Sequence, residues 1–318
     1  MADILFIKTS SLGDVIHQMP ALTEARRHLP RARFTWVVEE AFAPLARLHP
    51  AVNEVIPVAS RRWRRAPLAP ATWREVAAFR RTLGAHNYDA VIDTQGLFRT
   101  GLIAGMARGI RHGYDSASVR ERAASWFYDK RYHVDRRLHA IERNRALTGF
   151  ALGYAPRFEP DYGLRAVVAP DFGDDYAVLL HATARASKEW PEGDWIGLGK
   201  TMTARGLRIV LPWGNARERE RSERLAAAIP GARIPAREPL DKVARLMAGA
   251  RVVVGVDTGL VHLAAALDVP VVAIFVDSVP ALTGPVSAAP FAIAGSHGAP
   301  PSLPDVMAAL DKVEAASG

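Results

Sequence analysis

Short apolar runs alternate with polar turns and with segments of helical period along the whole chain. The clearest example runs from residue 251 to 275, where two largely β-branched stretches, 252–256 and 271–275, flank a break at Asp257-Thr258-Gly259 and a helical pattern over 260–267. Runs of this kind are typical of strands buried on both faces of a parallel sheet, so the segment predicts a strand, turn, helix, strand unit. Further strands are predicted at 4–7, 34–38, 54–58 and 88–93, and again at 176–180 and 207–211. Pro57 assigns 54–58 to a sheet edge, because proline cannot donate to a ladder. Val15, Met19, Leu22, Ala25 and Leu29 form a helical apolar face in which Pro20 requires a kink or a fresh start. Helices are also predicted at 217–228, 240–248 and 304–316. The periodicity lapses over 156–171 into Pro- and Gly-containing polar sequence, which predicts a connection between one α/β domain at 1–165 and a second at 166–318. The last helix is available to pack back on the first domain.

Ligands of open α/β sheets bind at the carboxyl ends of the strands, so the strand-end turns carry the candidate chemistry. A helix opening at Thr258-Gly259 offers backbone N–H groups and a positive dipole end to phosphate. Taken alone, an N-cap and a turn glycine also account for these residues. The loops at 183–188, 214–218 and 257–259 would share one sheet edge and could jointly hold a nucleotide diphosphate. There Lys188 would meet phosphate charge and Glu218 would accept from ribose hydroxyls; either is equally readable as a surface charge. In the first half, Lys8 and Asp14 place a cation and a carboxylate at the end of the first strand. Asp14 is also what a first helical turn favours. One glycine in that turn, rather than G-x-G-x-x-G, argues against a classical dinucleotide site.

Charge sharpens this division. The chain has 318 residues and a net charge of +8, with 49% hydrophobic and 23% charged residues, an ordinary soluble composition. Residues 1–165 hold 26 Lys and Arg against 16 Asp and Glu, a balance of +10; residues 166–318 hold 15 against 17, a balance of −2. The basic excess points to nucleic acid, an anionic membrane surface or a polyanionic substrate. Its densest part is Arg61-Arg62-Trp63-Arg64-Arg65, readable as a solvated loop or as a phosphate- and carboxylate-binding cluster. Trp126, Phe127 and Tyr128 lie among further basic residues and are expected in the core. No cysteine is present, which removes disulfides and thiolate chemistry. No apolar run could span a bilayer, and the amino terminus lacks a signal-peptide pattern, so a cytoplasmic location is expected.

The segments KTSSLGDVIHQMPAL, VVEEAF, IPVASRRWRR, YDAVIDTQGL, HAIERNRAL, LHATARASKEWP, LPWG and VDTGLVHLAAALDVP together resemble the heptosyltransferase I family of lipopolysaccharide core synthesis. The resemblance extends from the first strand to about Phe275. It implies a GT-B fold of two Rossmann-like domains whose parallel sheets face each other across a cleft. It further implies metal-independent, inverting transfer of L-glycero-D-manno-heptose from ADP-heptose to the first Kdo of Kdo-lipid A, at the cytoplasmic face of the inner membrane and without a cofactor. By matching position, Asp14 would be the catalytic base. Thr183, Lys188, Glu218, Asp257, Thr258, Gly259 and His262 would bind the donor. Lys8, Arg61, Arg62, Arg64, Arg65, Arg120 and His139 would bind the acceptor. The chain departs from the family at Ala184, where a second threonine is familiar, and at 275–280, which lacks the usual glycine-proline-threonine turn.

The absence of any Asp-x-Asp agrees with charge stabilisation by Lys188 and backbone dipoles rather than by a metal held in that motif. Two other classes stay open. Another nucleotide-sugar enzyme, a different heptosyltransferase or an epimerase, would keep the sheets and the diphosphate site. A nucleic-acid-binding protein would explain the basic half but neither Asp14 nor the donor loops.

Overall fold

The computed structural model describes residues 1–165, 167–169, 175–183, 185–277 and 280–317. By its contacts the chain divides into two compact units, Met1–Gly163 and Leu164–Gly318. The boundary falls inside the stretch where the sequence periodicity lapses.

Among the described residues, the first unit is built on a six-stranded parallel sheet: β1 (Asp3–Ile7), β2 (Arg33–Glu39), β3 (Glu54–Val58), β4 (Asn87–Asp93), β5 (Arg108–Tyr114) and β6 (Lys130–Tyr132). Their spatial order is β3-β2-β1-β4-β5-β6. That is the doubly wound order, and its direction reverses between β1 and β4. Ile4 to Ile7 of β1 and Val91-Ile92 of β4 are buried, as expected of central strands covered on both faces. β3 lies at the edge, as Pro57 requires. Pro20 starts a fresh helix, Met19–His28, after the short helix Leu12–Ile16. A buried ion pair between Arg145 Nε and Glu24 Oε2, 2.8 Å apart, fastens Met19–His28 to the helix Ala140–Leu152.

In the second unit, β7 (Tyr176–Leu180), β8 (Arg208–Val210), β9 (Val252–Val256), β10 (Val271–Ile274) and β11 (Phe291–Ala294) form a parallel sheet in the order β11-β10-β9-β7-β8. This is the other common doubly wound order, reversing between β7 and β9. Gly255 makes that junction tight: a Cβ there would sit 2.6 Å from Val261 Cγ2 and 2.7 Å from Leu180 Cβ, so only glycine lets the helix Gly259–Ala266 pack so close. Trp190 and Trp195, edge to face at 5.1 Å, fill the core under β7. The last helix, Leu303–Ser317, packs on β10, β11 and the helix Glu192–Ala204 of its own unit.

The hydrophobic pattern does not predict β5, β6 or β11. β5 carries two arginines and a histidine, β6 is three residues long, and β11 is a half-exposed edge strand. Of the three aromatics expected in the core, Trp126 is 75% exposed while Tyr128 is buried. The short helical turn Arg122–Phe127 faces Phe127 onto Gly101 and leaves Trp126 outside.

Candidate active site

The first unit concentrates polar chemistry where its strand order reverses. Lys8 follows β1 and is 2% exposed. Its ammonium donates to Thr94 O at 2.9 Å and Asn144 Oδ1 at 3.2 Å, and lies 3.8 Å from Asp14 Oδ1. Burial pushes its pKa down to about 8 against the opposing pull of Asp14. The Asp14 carboxylate receives Arg120 in a fork, Nη2 to Oδ1 at 2.7 Å and Nη1 to Oδ2 at 3.2 Å, and also accepts from Ser11 N at 3.0 Å. Burial raises its pKa, but Lys8, Arg120 and these hydrogen bonds together outweigh burial and hold it down to about 2. Asp14 does cap its helix through Ser11, as a first-turn residue would. It also carries the charge of two cations, which a cap does not need.

Gln95 ties the β1 and β4 loops together: its Oε1 accepts from Thr9 N at 3.1 Å and Ser10 N at 3.2 Å. The turn that aims Gln95 needs Gly96 at φ +68°, and is held by Asp93 Oδ1, which accepts from Gln95 N and Gly96 N. Tyr128 donates to the other Asp93 oxygen at 2.7 Å, lying over Gly113, where a Cβ would collide with its ring at 2.2 Å. Thr9 Oγ1, Gln18 Nε2 and Gln95 Nε2 are buried here without a hydrogen-bond partner among the described residues, which leaves polar capacity for a ligand. His139 is the N-cap of Ala140–Leu152: its Nδ1 accepts from Ile141 N at 3.3 Å, and its ring meets His17 edge-on.

The arginine cluster is a helix, Ser60–Arg65, rather than a loop. Buried Glu39, the last residue of β2, anchors its start by accepting from Ser60 Oγ at 2.5 Å and Arg61 N at 2.9 Å. The four arginines differ in what they do. Arg62 is engaged by Glu40 at 3.1 Å and Glu75 at 2.8 Å, and Trp63 Nε1 also donates to Glu75. Arg61 lies over the Phe42 ring and Arg64 reaches back to Ser60 O. Arg61, Arg64 and Arg65 have no ion pair among the described residues.

In the second unit the loops after β7, β8 and β9 share one sheet edge. Lys188 closes the short turn Ala186–Lys188, and its Nζ donates to Asp257 Oδ2. His262 Nε2 lies 3.8 Å from the other Asp257 oxygen. Thr258 occupies the N-cap position of Gly259–Ala266 but makes no side-chain capping bond, so the first-turn N–H groups are not spent on it. Glu218 is committed in part: it accepts from Gly214 N at 2.7 Å and Asn215 Nδ2 at 2.6 Å, while Asn215 Oδ1 caps the helix Ala216–Ala228 by accepting from Glu218 N at 3.1 Å. Thr183 is half-buried in the β7 loop. Ala184, and Ser278 and Val279 of the 275–280 loop, lie outside the described residues.

Two doubly wound units, one with a cation-clamped carboxylate at its strand-order reversal and the other with a lysine and an uncapped helix start at its own, are the architecture of GT-B type heptosyltransferases. The chain belongs to glycosyltransferase family 9, the heptosyltransferases, whose family model matches residues 76–304. It is 45% identical over 286 residues to lipopolysaccharide heptosyltransferase 1 of Escherichia coli strain K12, covering 88% of this chain and 90% of that protein. It is 46% identical over 288 residues to the Pseudomonas aeruginosa protein of the same name, covering 88% and 80%. The solved structure of E. coli heptosyltransferase WaaC with ADP-2-deoxy-2-fluoro heptose superposes with a TM-score of 0.88 at 41% identity, covering 97% of this chain and 99% of that one.

Two outcomes follow for this site. Asp14→Asn removes the counter-charge of buried Lys8, so it should cost on the order of 2 kcal/mol at neutral pH, more than loss of a cap. The folded pKa of Asp14 is depressed, so this contribution is present above the unfolded value and lost as pH falls through about 2. The double variant Lys8→Met/Asp14→Asn should regain part of that stability in a thermal melt; a double variant no more stable than Asp14→Asn would show that Lys8 does not depend on the carboxylate. For the arginine helix, Arg62→Ala should lower the melting temperature, whereas Arg61→Ala/Arg64→Ala should leave it nearly unchanged and raise KM for an anionic acceptor. Equal KM effects would mean that the four arginines act alike.

Proposed function

We propose that this chain transfers L-glycero-D-manno-heptose from ADP-heptose to the first Kdo of Kdo-lipid A in lipopolysaccharide inner-core synthesis, with inversion and without a metal. The observation that carries the reading is Asp14, a carboxylate kept ionised at the strand-order reversal of the basic unit. The names of the relatives and the nucleotide sugar in the solved WaaC structure support the donor and the pathway.

In this reading the basic unit holds the acceptor. Arg61, Arg64, Arg65 and Arg120 meet its phosphates and carboxylates, and Asp14 takes the proton of the attacking hydroxyl. The second unit holds ADP-heptose. Lys188 and the first-turn N–H groups of Gly259–Ala266 meet the diphosphate, whose negative charge grows as the glycosidic bond breaks. Glu218 has lone pairs left for ribose hydroxyls after serving Gly214 and Asn215. Inversion needs one base, and general-base assistance contributes on the order of 10²–10⁴-fold. An acceptor carried in a bilayer places the enzyme at the cytoplasmic face of the inner membrane, bound peripherally. Among the described residues no helix is long and apolar enough to cross a membrane.

A donor panel tested against Kdo-lipid A, scored by nucleotide release and product mass, tests the reading. ADP should appear with ADP-heptose only when acceptor is present, with one heptose added to the product. Acceptor-independent turnover of the donor would favour an epimerase or hydrolase. Lys188→Ala should weaken ADP and ADP-heptose alike and slow turnover, because the lysine meets a charge present in both. Unaltered ADP affinity, measured by calorimetry, would remove Lys188 from the donor site.

A further inference from the structure

Beneath the arginine helix lies a cavity of about 410 Å³ whose lining is almost wholly apolar, from Trp63, Trp73, Val76, Phe79, Leu102 and Met106. Three helices wall it: Ser60–Arg65, Pro70–Gly84 and Phe98–Met106. Its rim stays open to solvent, with Trp73 63% and Leu102 40% exposed, an unusual position for side chains of that size. Two cations, Arg64 and Arg99, also line it, and neither has an ion pair among the described residues. Arg99 is half-buried, its Nε has no hydrogen-bond partner, and burial together with the neighbouring Arg64 charge disfavours its cationic form. A guanidinium so placed is stabilised by an incoming anion. Arg99 also connects the cavity to the catalytic loop: its Nη2 donates to Ser10 Oγ at 2.8 Å, and Ser11, the next residue, donates to Asp14.

From this juxtaposition we propose that the cavity receives one acyl chain of the lipid acceptor, with Arg64 and Arg99 holding an acidic group of the same molecule at its mouth. An anionic amphiphile satisfies both halves of the site at once. A nucleotide or a free sugar would leave the apolar walls unused, and a neutral lipid would leave both guanidiniums unpaired. The assignment rests on the acceptor reading above and extends it: the enzyme measures the distance between the Kdo hydroxyl at Asp14 and a hydrocarbon chain, so acylation becomes part of acceptor recognition.

The test compares a short-chain acylated acceptor, detergent-free and below its critical micelle concentration, with its chemically de-acylated counterpart, using the wild-type chain, Val76→Trp, which fills the cavity, and Leu102→Asp, which puts a carboxylate at its exposed rim. The wild type should favour the acylated acceptor by at least about tenfold in kcat/KM, the yield of burying a few methylenes. Both variants should lose that preference through KM while turning over the de-acylated acceptor as the wild type does. A preference that neither variant moves overturns the cavity assignment and leaves the acceptor reading intact. Wild-type inactivity on both acceptors overturns both. Sedimentation with anionic phospholipid vesicles lacking acceptor separates the remaining source of acyl chains: if the variants lose vesicle binding but keep the acyl preference, the cavity docks on the bilayer and the proposal is wrong.

Discussion

A lysine ammonium withdrawn from water between two strand ends is the interaction on which the first unit's site depends. Desolvation makes the Lys8 charge costly, and it is tolerated because Thr94 O, Asn144 Oδ1 and the Asp14 carboxylate surround it. Those three partners come from the β4 loop, the helix Ala140–Leu152 and the helix Leu12–Ile16. One charge therefore holds three elements in register. Asn144 extends the chain of contacts by donating to His17 O at 2.9 Å, and Thr94 does so through Gln18 at 2.6 Å. Disturbing any member exposes a buried charge to incomplete compensation, which gives the crevice a single arrangement rather than several of similar energy.

The second unit solves a different problem at the equivalent place in its sheet. In the proposed reaction a diphosphate is present in both substrate and leaving nucleotide, so the site must supply positive character without trapping the product. The Lys188–Asp257 contact keeps the lysine aimed at the loop while lowering its net pull on an anion, and His262 approaches the same aspartate from the helix. The uncapped first turn of Gly259–Ala266 adds dipole character that needs no counter-ion. Gly255 lets that turn sit directly over the β7–β9 junction.

Strands buried on both faces were legible because their apolar runs are nearly uninterrupted, and the strand-end positions of Lys8, Asp14, Lys188 and Asp257 followed from them. What supports those residues was much less so. Tyr128 reaches Asp93 from 35 positions away and Asn144 reaches Lys8 from 136, and neither periodicity nor local motif encodes such contacts. The pattern RRWRR shows four equal charges, yet Glu40 and Glu75 make Arg62 a structural residue and leave the other three without an ion pair among the described residues. Glu218 illustrates the same limit: a carboxylate three residues after Asn215 is a capping-box signal as well as a ribose-site signal, and its oxygens accept from Gly214 N and Asn215 Nδ2 rather than from the N-cap N–H.

In the proposed mechanism Asp14 is the base, and a pKa of about 2 then limits when it can accept a proton. A carboxylate held that far down by Lys8 and Arg120 stays ionised at neutral pH, but its affinity for a proton is low. An unreacted sugar hydroxyl would not surrender its proton to such a group. The hydroxyl becomes strongly acidic only as its oxygen bonds to an oxocarbenium-like carbon, so in the proposed mechanism transfer to Asp14 comes late, after bond formation has advanced. The same cations that depress the pKa also define what the acceptor can change. An acceptor carboxylate or phosphate competing for Arg120 would relax its fork on Asp14 and raise the basicity of the carboxylate just when the hydroxyl is in place. Under the proposed chemistry, Arg120 then couples acceptor binding to base strength, and a neutral acceptor of identical shape would bind without arming the base.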